Sequence, residues 1–304
     1  MIDNQKVLNE MFNIPHGLKP VANISGMKLY SSKGLMKKYA KAILNTKYFK
    51  GSKRLEELII DKNKIIPCYL TKSLIGYTFY KLFASTQRKS ICGFFSPQSK
   101  RIYILISNNT AFGIYSSNND LASLTLHETM HAYFDQSPSD FKSMFKKKIA
   151  EYYDHFVSYV FDVPDNKITK STGKSIAKMM LDFEYKSSAK GLTGNDVKKH
   201  IEGFISLLKN NMPVIDKQDE QVYDLMERMM LAFMFNQSLF FSELNKYRYF
   251  FKGFYYAYFK TFGTTDTQTL PIQELFYPSE IIAIGSEVSK NKSSFITAFN
   301  KLKV

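Results

Sequence analysis

The sequence predicts an α+β chain in which a small sheet is followed by a large, mainly helical region. Two stretches carry that expectation. Ile91 to Phe95 and Arg101 to Ile106 are rich in β-branched and aromatic residues, and the turn composition Ser96-Pro-Gln-Ser-Lys100 lies between them, which reads as a β-hairpin. From about 140 to 262 the apolar and aromatic residues recur at helical spacing, with candidate helices over 141–161, 172–185, 195–210, 218–243 and 247–262. The 304 residues, of which 44% are hydrophobic and 23% charged, suffice to bury one large core or two modest ones.

Before the hairpin the pattern is weaker. Residues 1–34 hold Pro15, Gly17, Pro20, Gly26 and Gly34 without a sustained period, and read as an irregular arm, a lid or a pro-segment. Short helical patterns follow at 35–44 and 55–60, then an apolar stretch over 65–83 punctuated by Pro67 and Gly76. After the hairpin, a polar loop over 107–119 leads to a helix that begins near Asn119 or Asp120, both good caps, and stops before Pro138. Past the polar break at Gly263 to Thr269, one helix is expected from Ser279 and another over 292–302. The expected organisation is an arm (1–34), a sheet-and-helix segment (35–136), a helical insertion (137–265) and a pair of C-terminal helices (266–304).

Composition excludes some function classes. The longest apolar stretch, Met229 to Phe241, is interrupted by Asn236, Gln237 and Ser238 and is too short to span a bilayer, so no membrane partner is expected. The first residues lack a basic start followed by an apolar run, which favours a cytoplasmic location. Cys68 and Cys92, the only cysteines, cannot build a disulfide framework or a zinc knuckle and read as buried thiols. The net charge of +15 invites a nucleic-acid reading. Yet the lysines are spread along the whole chain, and no RRM, OB or zinc-finger signature is present.

One motif carries chemistry. In His127-Glu-Thr-Met-His131 the histidines are four residues apart on a helix, so their imidazoles project about 40° apart and one turn apart in height, toward a common point. That suits two nitrogen ligands of one zinc ion. Glu128 lies about 100° round the helix from His127, where it reaches water beside the metal without ligating the metal itself. With five histidines and thirteen glutamates in the chain, random placement yields about 0.004 such matches.

The motif and its setting resemble the zincin metallopeptidases over about residues 90–136, with one further tail segment. The resemblance implies zinc as cofactor, His127 and His131 as ligands, Glu128 as general base, and a protein or peptide substrate. It also implies a small mixed sheet beside the motif helix, whose edge binds the substrate as an added strand. Arg101 to Ile106 is the expected edge.

A catalytic zinc site needs a third protein ligand and an open position. The metzincin spacing is absent, since Phe134 and Ser137 stand where its glycine and third histidine would be. The resemblance therefore points to the gluzincin branch, with an acid on a later helix. Glu151 follows His131 by twenty residues, a thermolysin-like spacing, but falls opposite the apolar stripe of Ile149, Tyr152, Tyr153, Phe156 and Val160, beside Lys147 and Lys148. Glu220 opens Glu220-Gln-Val-Tyr-Asp224, a thermolysin-like ExxxD pattern, though acids at a helix N-terminus also serve the dipole. Glu280, in Tyr277-Pro-Ser-Glu-Ile-Ile-Ala283-Ile-Gly285, resembles the ligand helix of compact gluzincins such as the lethal-factor-like toxins. Its small Ala283 and Gly285 would admit close approach to the motif helix, and Ser279 would cap it. Glu280 ranks ahead of Glu220 and Glu151. Tyr277 is a candidate oxyanion donor as well as a packing residue, and His155 and His200 have no partner at ligand spacing.

The function expected is a zinc-dependent endopeptidase. A structural or assembly protein on a zincin scaffold and a basic nucleic-acid-associated protein are the other classes open at this point. If the lysine surplus reflects composition rather than a nucleic-acid site, DNA binding will be weak and will collapse between about 50 and 200 mM salt in a titration. Tight, sequence-selective binding that survives the higher salt contradicts that reading.

Overall fold

The computed structural model describes residues 17–24, 27–71, 93–106, 118–163, 172–211, 217–263 and 276–303. The chain divides into two compact units, one of residues 1–136 with 292–304, the other of residues 137–291. The expected pair of C-terminal helices over 266–304 is thus shared out, the first to the second unit and the last to the first unit.

The first unit holds a five-stranded mixed sheet in the order β1-β2-β3-β5-β4. Its strands are β1 (Lys19–Ile24), β2 (Met27–Ser31), β3 (Ile65–Thr71), β4 (Gly93–Ser96) and β5 (Arg101–Leu105). All neighbours run antiparallel except β3 and β5, which are parallel. The expected hairpin is β4–β5, closed by a turn over 97–100 in which Lys100 takes a positive φ of 54°.

Two expectations are corrected here. The described part of the expected irregular arm forms the β1–β2 hairpin, with a register shift between Pro20 and Ala22 that breaks the alternation a sequence reading depends on. And β5 is not the sheet edge. It pairs with β3 on one side and β4 on the other, and Ile102, Tyr103 and Ile104 are buried in succession. A run that is apolar at consecutive positions is a strand covered on both faces, which belongs inside a sheet. Among the described residues β4 is the edge on that side. Pro67, which has no amide hydrogen to donate, lies past the end of the β2–β3 ladder at Tyr30 and Tyr69, and its carbonyl accepts a 2.5 Å hydrogen bond from the Ser31 hydroxyl.

Around the sheet pack α1 (Lys33–Leu44), the short α2 (Lys53–Glu56) continued by one π turn (Glu57–Asp61), and α3 (Asn118–Gln136). Ser32 and Ser52 cap α1 and α2 by accepting from the amides of Leu35 and Leu55. The last helix, α11 (Ser293–Asn300), packs on α3, sets Phe299 edge-on to Phe49 at 4.9 Å, and lets the Lys303 amide donate to Gln136. Cys68 is fully buried in β3, and burial pushes its thiol up to about 12. Cys92 lies outside the described residues.

The described elements of the second unit are all helices: α4 (Pro138–Val160), α5 (Thr172–Lys190), α6 (Gly194–Asn211), α7 (Lys217–Phe235), α8 (Gln237–Ser242), α9 (Arg248–Phe262) and α10 (Pro278–Val288). Its centre is α4 against α5 and α9. Phe156 stacks on Phe254 at 4.2 Å, and Gly253 makes the approach possible, because a Cβ there would meet Val160 at 3.0 Å. The helix expected over 218–243 is broken, since Asn236 accepts from the Leu239 amide and starts a new helix. No helix among the described residues is long and apolar enough to cross a membrane.

Candidate metal centre

The motif lies in the body of α3. Thr125, Leu126, Glu128, Thr129, Met130, Ala132 and Tyr133 are buried, whereas Ser123, His127 and His131, spaced four apart, form a partly open stripe. Helical spacing thus keeps both imidazoles on the one face of a core helix that is not sealed. Thr125 and Thr129 return their hydroxyl hydrogens to the carbonyls of Leu121 and Thr125, so the buried side of the helix satisfies its own polar groups.

The Nε2 atoms of His127 and His131 lie 3.2 Å apart. Two nitrogens each about 2.05 Å from one tetrahedral ion are separated by about 3.3 Å. The pair therefore has the spacing of one edge of a zinc coordination tetrahedron.

Glu128 is 5% exposed. It faces the edge strand: a Cβ on Gly93 would meet its Cγ and Oε1 at 3.1 Å and the Tyr103 carbonyl oxygen at 3.3 Å. Gly93 was not singled out in the sequence; its signal is an isolated glycine at the start of a β pattern, which marks close approach of another group. On the inner side, Tyr39 hydrogen-bonds Thr125, and burial, with a contribution from the Glu128 charge, holds its phenol well above the ordinary value.

Glu280 stands in the first turn of α10, partly exposed, among buried Ser279, Ile281, Ile282 and Ala283. The cap differs from expectation. Tyr277 occupies the cap position and Pro278 the first turn, while Ser279 donates its amide (3.0 Å) and its hydroxyl to the buried carboxylate of Glu184 on α5. Gly285 also has another partner than expected: a Cβ there would meet Phe262 Cζ at 2.5 Å, so the missing side chain admits α9. The Tyr277 hydroxyl donates to the sulfur of Met234 at 3.5 Å, and burial, with the charges of Glu184 and Glu280, raises its pKa.

His127 and His131, in the first unit, each offer a ring nitrogen that could hold a metal ion, and Glu280, in the second unit, offers a carboxylate oxygen. Two imidazoles and a carboxylate are a zinc-type donor set. Glu220 and Glu151 also lie in the second unit. Glu220 and Asp224 are exposed on α7, and Glu151 is paired with Lys147 at 3.9 Å on the polar side of α4. His155 meets Tyr256 edge-on, and His200 stacks on Phe183 at 3.7 Å.

No family model matches the chain, and neither a curated protein nor a solved structure matches it.

Burial lowers the His200 pKa from 6.5 to about 4. The unfolded chain therefore binds the extra proton first as pH falls, and this residue's contribution to stability is lost progressively between those two values. His200→Phe, which keeps the aromatic stack, is expected to remove part of the acid sensitivity over that window, read as a flatter dependence of thermal midpoint on pH. An unchanged dependence shows that His200 is not the titrating group.

Proposed function

We propose that the protein is a zinc-dependent endopeptidase, with His127, His131 and Glu280 holding the ion and Glu128 acting as general base. The observation that supports this reading best is the approach of the two histidine nitrogens to the edge length of a tetrahedral site. Three protein ligands leave a fourth position open, which distinguishes a catalytic site from a closed structural one.

When bound, zinc supplies Lewis acidity, which acidifies water and polarises a carbonyl. The chain's own residues do the remainder. Glu128, one position after a ligand on the helix, accepts a proton from the attacking water at a carboxylate oxygen and delivers it to the leaving amine nitrogen. Its burial restricts competing solvent and keeps the carboxylate at one place. Gly93, at the start of edge strand β4, leaves the backbone beside Glu128 uncovered by a side chain. An extended peptide that adds to β4 brings its main chain to that point, which gives β4 the substrate-binding role first expected of β5.

The test is zinc content and cleavage of an unstructured protein by the full chain purified without added zinc. The parent should hold about one zinc per chain. Glu128→Gln should keep that zinc and lose most hydrolysis, while His127→Ala and His131→Ala lose both. Of Glu280→Ala, Glu220→Ala and Glu151→Ala, compared as folded proteins, only Glu280→Ala should release zinc under chelator competition. Parental cleavage by Glu128→Gln overturns the mechanism, and zinc release by Glu220→Ala transfers the third ligand to α7. A parent that holds zinc but cleaves nothing assigns the scaffold to assembly.

A further inference from the structure

The most unusual group in the second unit is the Glu184 carboxylate. It is 8% exposed, on a helix whose neighbouring acid, Asp182, reaches solvent and pairs with Lys142. Burying a carboxylate costs several kcal/mol unless hydrogen bonds replace its water. At Glu184 Ser279 contributes two such bonds, its amide donating to Oε2 at 3.0 Å and its hydroxyl donating to Oε1.

The place of that contact gives it meaning. Helix α10 begins with Pro278, which has no amide hydrogen, so the Ser279 amide is the first free donor of the helix. Tyr277, at the cap position, makes no side-chain cap hydrogen bond. The cap is supplied instead from α5, and its negative charge meets the positive end of the helix dipole. A second bond ties the same entrance: the Tyr153 hydroxyl of α4 donates to the Phe276 carbonyl at 3.1 Å. The backbone just before Glu280 is thus fixed at two successive points, from two different helices. The residue held is the immediate neighbour of Glu280, so any displacement of the Ser279 amide moves the Glu280 Cα with it.

We propose that Glu184 is a positioning residue for the metal centre: by capping α10 through Ser279 it sets the direction in which the Glu280 carboxylate is presented. The inference rests on the reading of Glu280 as a ligand. A carboxylate ligand at the start of a helix lies in the part of a helix that frays most readily. Without an external cap, the first turn samples positions away from the ligand geometry, and metal binding must then supply the ordering. Residues that orient ligands in this way typically change metal affinity by 10- to 100-fold when removed.

The test compares the full chain with Glu184→Ala, Glu184→Gln, and Leu208→Ala, a buried truncation in α6 that serves as a control for lost stability. Two readouts are taken on protein confirmed as folded by circular dichroism. The first is amide hydrogen exchange over residues 278–284 in metal-free protein. Glu184→Ala should raise it by at least about tenfold, Leu208→Ala should not raise it selectively, and Glu184→Gln, whose amide oxygen still accepts from the Ser279 amide, should restore much of the protection. The second is zinc affinity by chelator competition, which should fall about 10- to 100-fold in Glu184→Ala, recover substantially in Glu184→Gln and stay near parental in Leu208→Ala. Unchanged exchange, or an affinity loss matched by Leu208→Ala, overturns the role of Glu184 while leaving Glu280 as a ligand. A parent that binds no zinc overturns the reading of Glu280 itself and the positioning role built on it.

Discussion

The 3.2 Å approach of two imidazole nitrogens on α3 is the interaction on which the functional account depends. Two neutral imidazoles that aim nitrogen lone pairs at one point repel, unless a proton or a cation lies between them. A hydrogen bond satisfies the pair by making one ring the donor and the other the acceptor. A shared cation satisfies both lone pairs at once. Helix geometry supplies the approach without cost, because residues four apart already stack on one face. What the fold adds is a helix buried on its other faces, so that the stripe bearing the histidines is held in one orientation.

The remainder of the first unit can be understood as support for that helix. Strand β4 passes close to Glu128, and Gly93 is the residue that allows it. Helix α11 packs on α3 from the far end of the chain, and the Lys303 amide donates to Gln136 in the last turn of α3. Lys100, in the β4–β5 turn, pairs with Asp135 of α3 at 2.7 Å, though an exposed pair adds little stability. Turn, strand and terminal helix all constrain the same element. In the second unit the emphasis falls on α10, tied by Tyr153 and Glu184 at its start and admitted against Phe262 by Gly285.

How much of this was legible in the sequence depended on whether the signal was local. His127, Glu128 and His131 were readable because the chemistry is written in the spacing of five adjacent residues. The α3 boundaries and the β4–β5 hairpin were readable for the same reason, from Pro138 and from the turn at 96–100. The β1–β2 hairpin was hidden by its irregular register at Pro20. The interior position of β5 is present in its unbroken apolar run, which a resemblance that implies a sheet edge does not reveal. Ser279 looked like a cap because its type suits one, whereas the cap is Glu184, ninety-five residues earlier. Gly93 and Gly285 hold their meaning in partners distant in sequence, Glu128 and Phe262, and no local pattern names those partners. Glu280 stood out through its apolar neighbours, although Gly285, one of the small residues that suggested it, makes room for Phe262.

The central claim, that one ion is shared by His127, His131 and Glu280, is tested most directly by X-ray absorption at the zinc edge on the full chain purified without added metal. The account predicts near-stoichiometric zinc with two imidazole nitrogens at about 2.0 Å and oxygen donors filling a four-coordinate shell. It also predicts that the spectrum of Glu280→Ala, if reloaded, keeps the imidazole signature and changes its oxygen shell. Protein that carries no zinc and takes none up, or a shell with fewer than two imidazoles, contradicts the account.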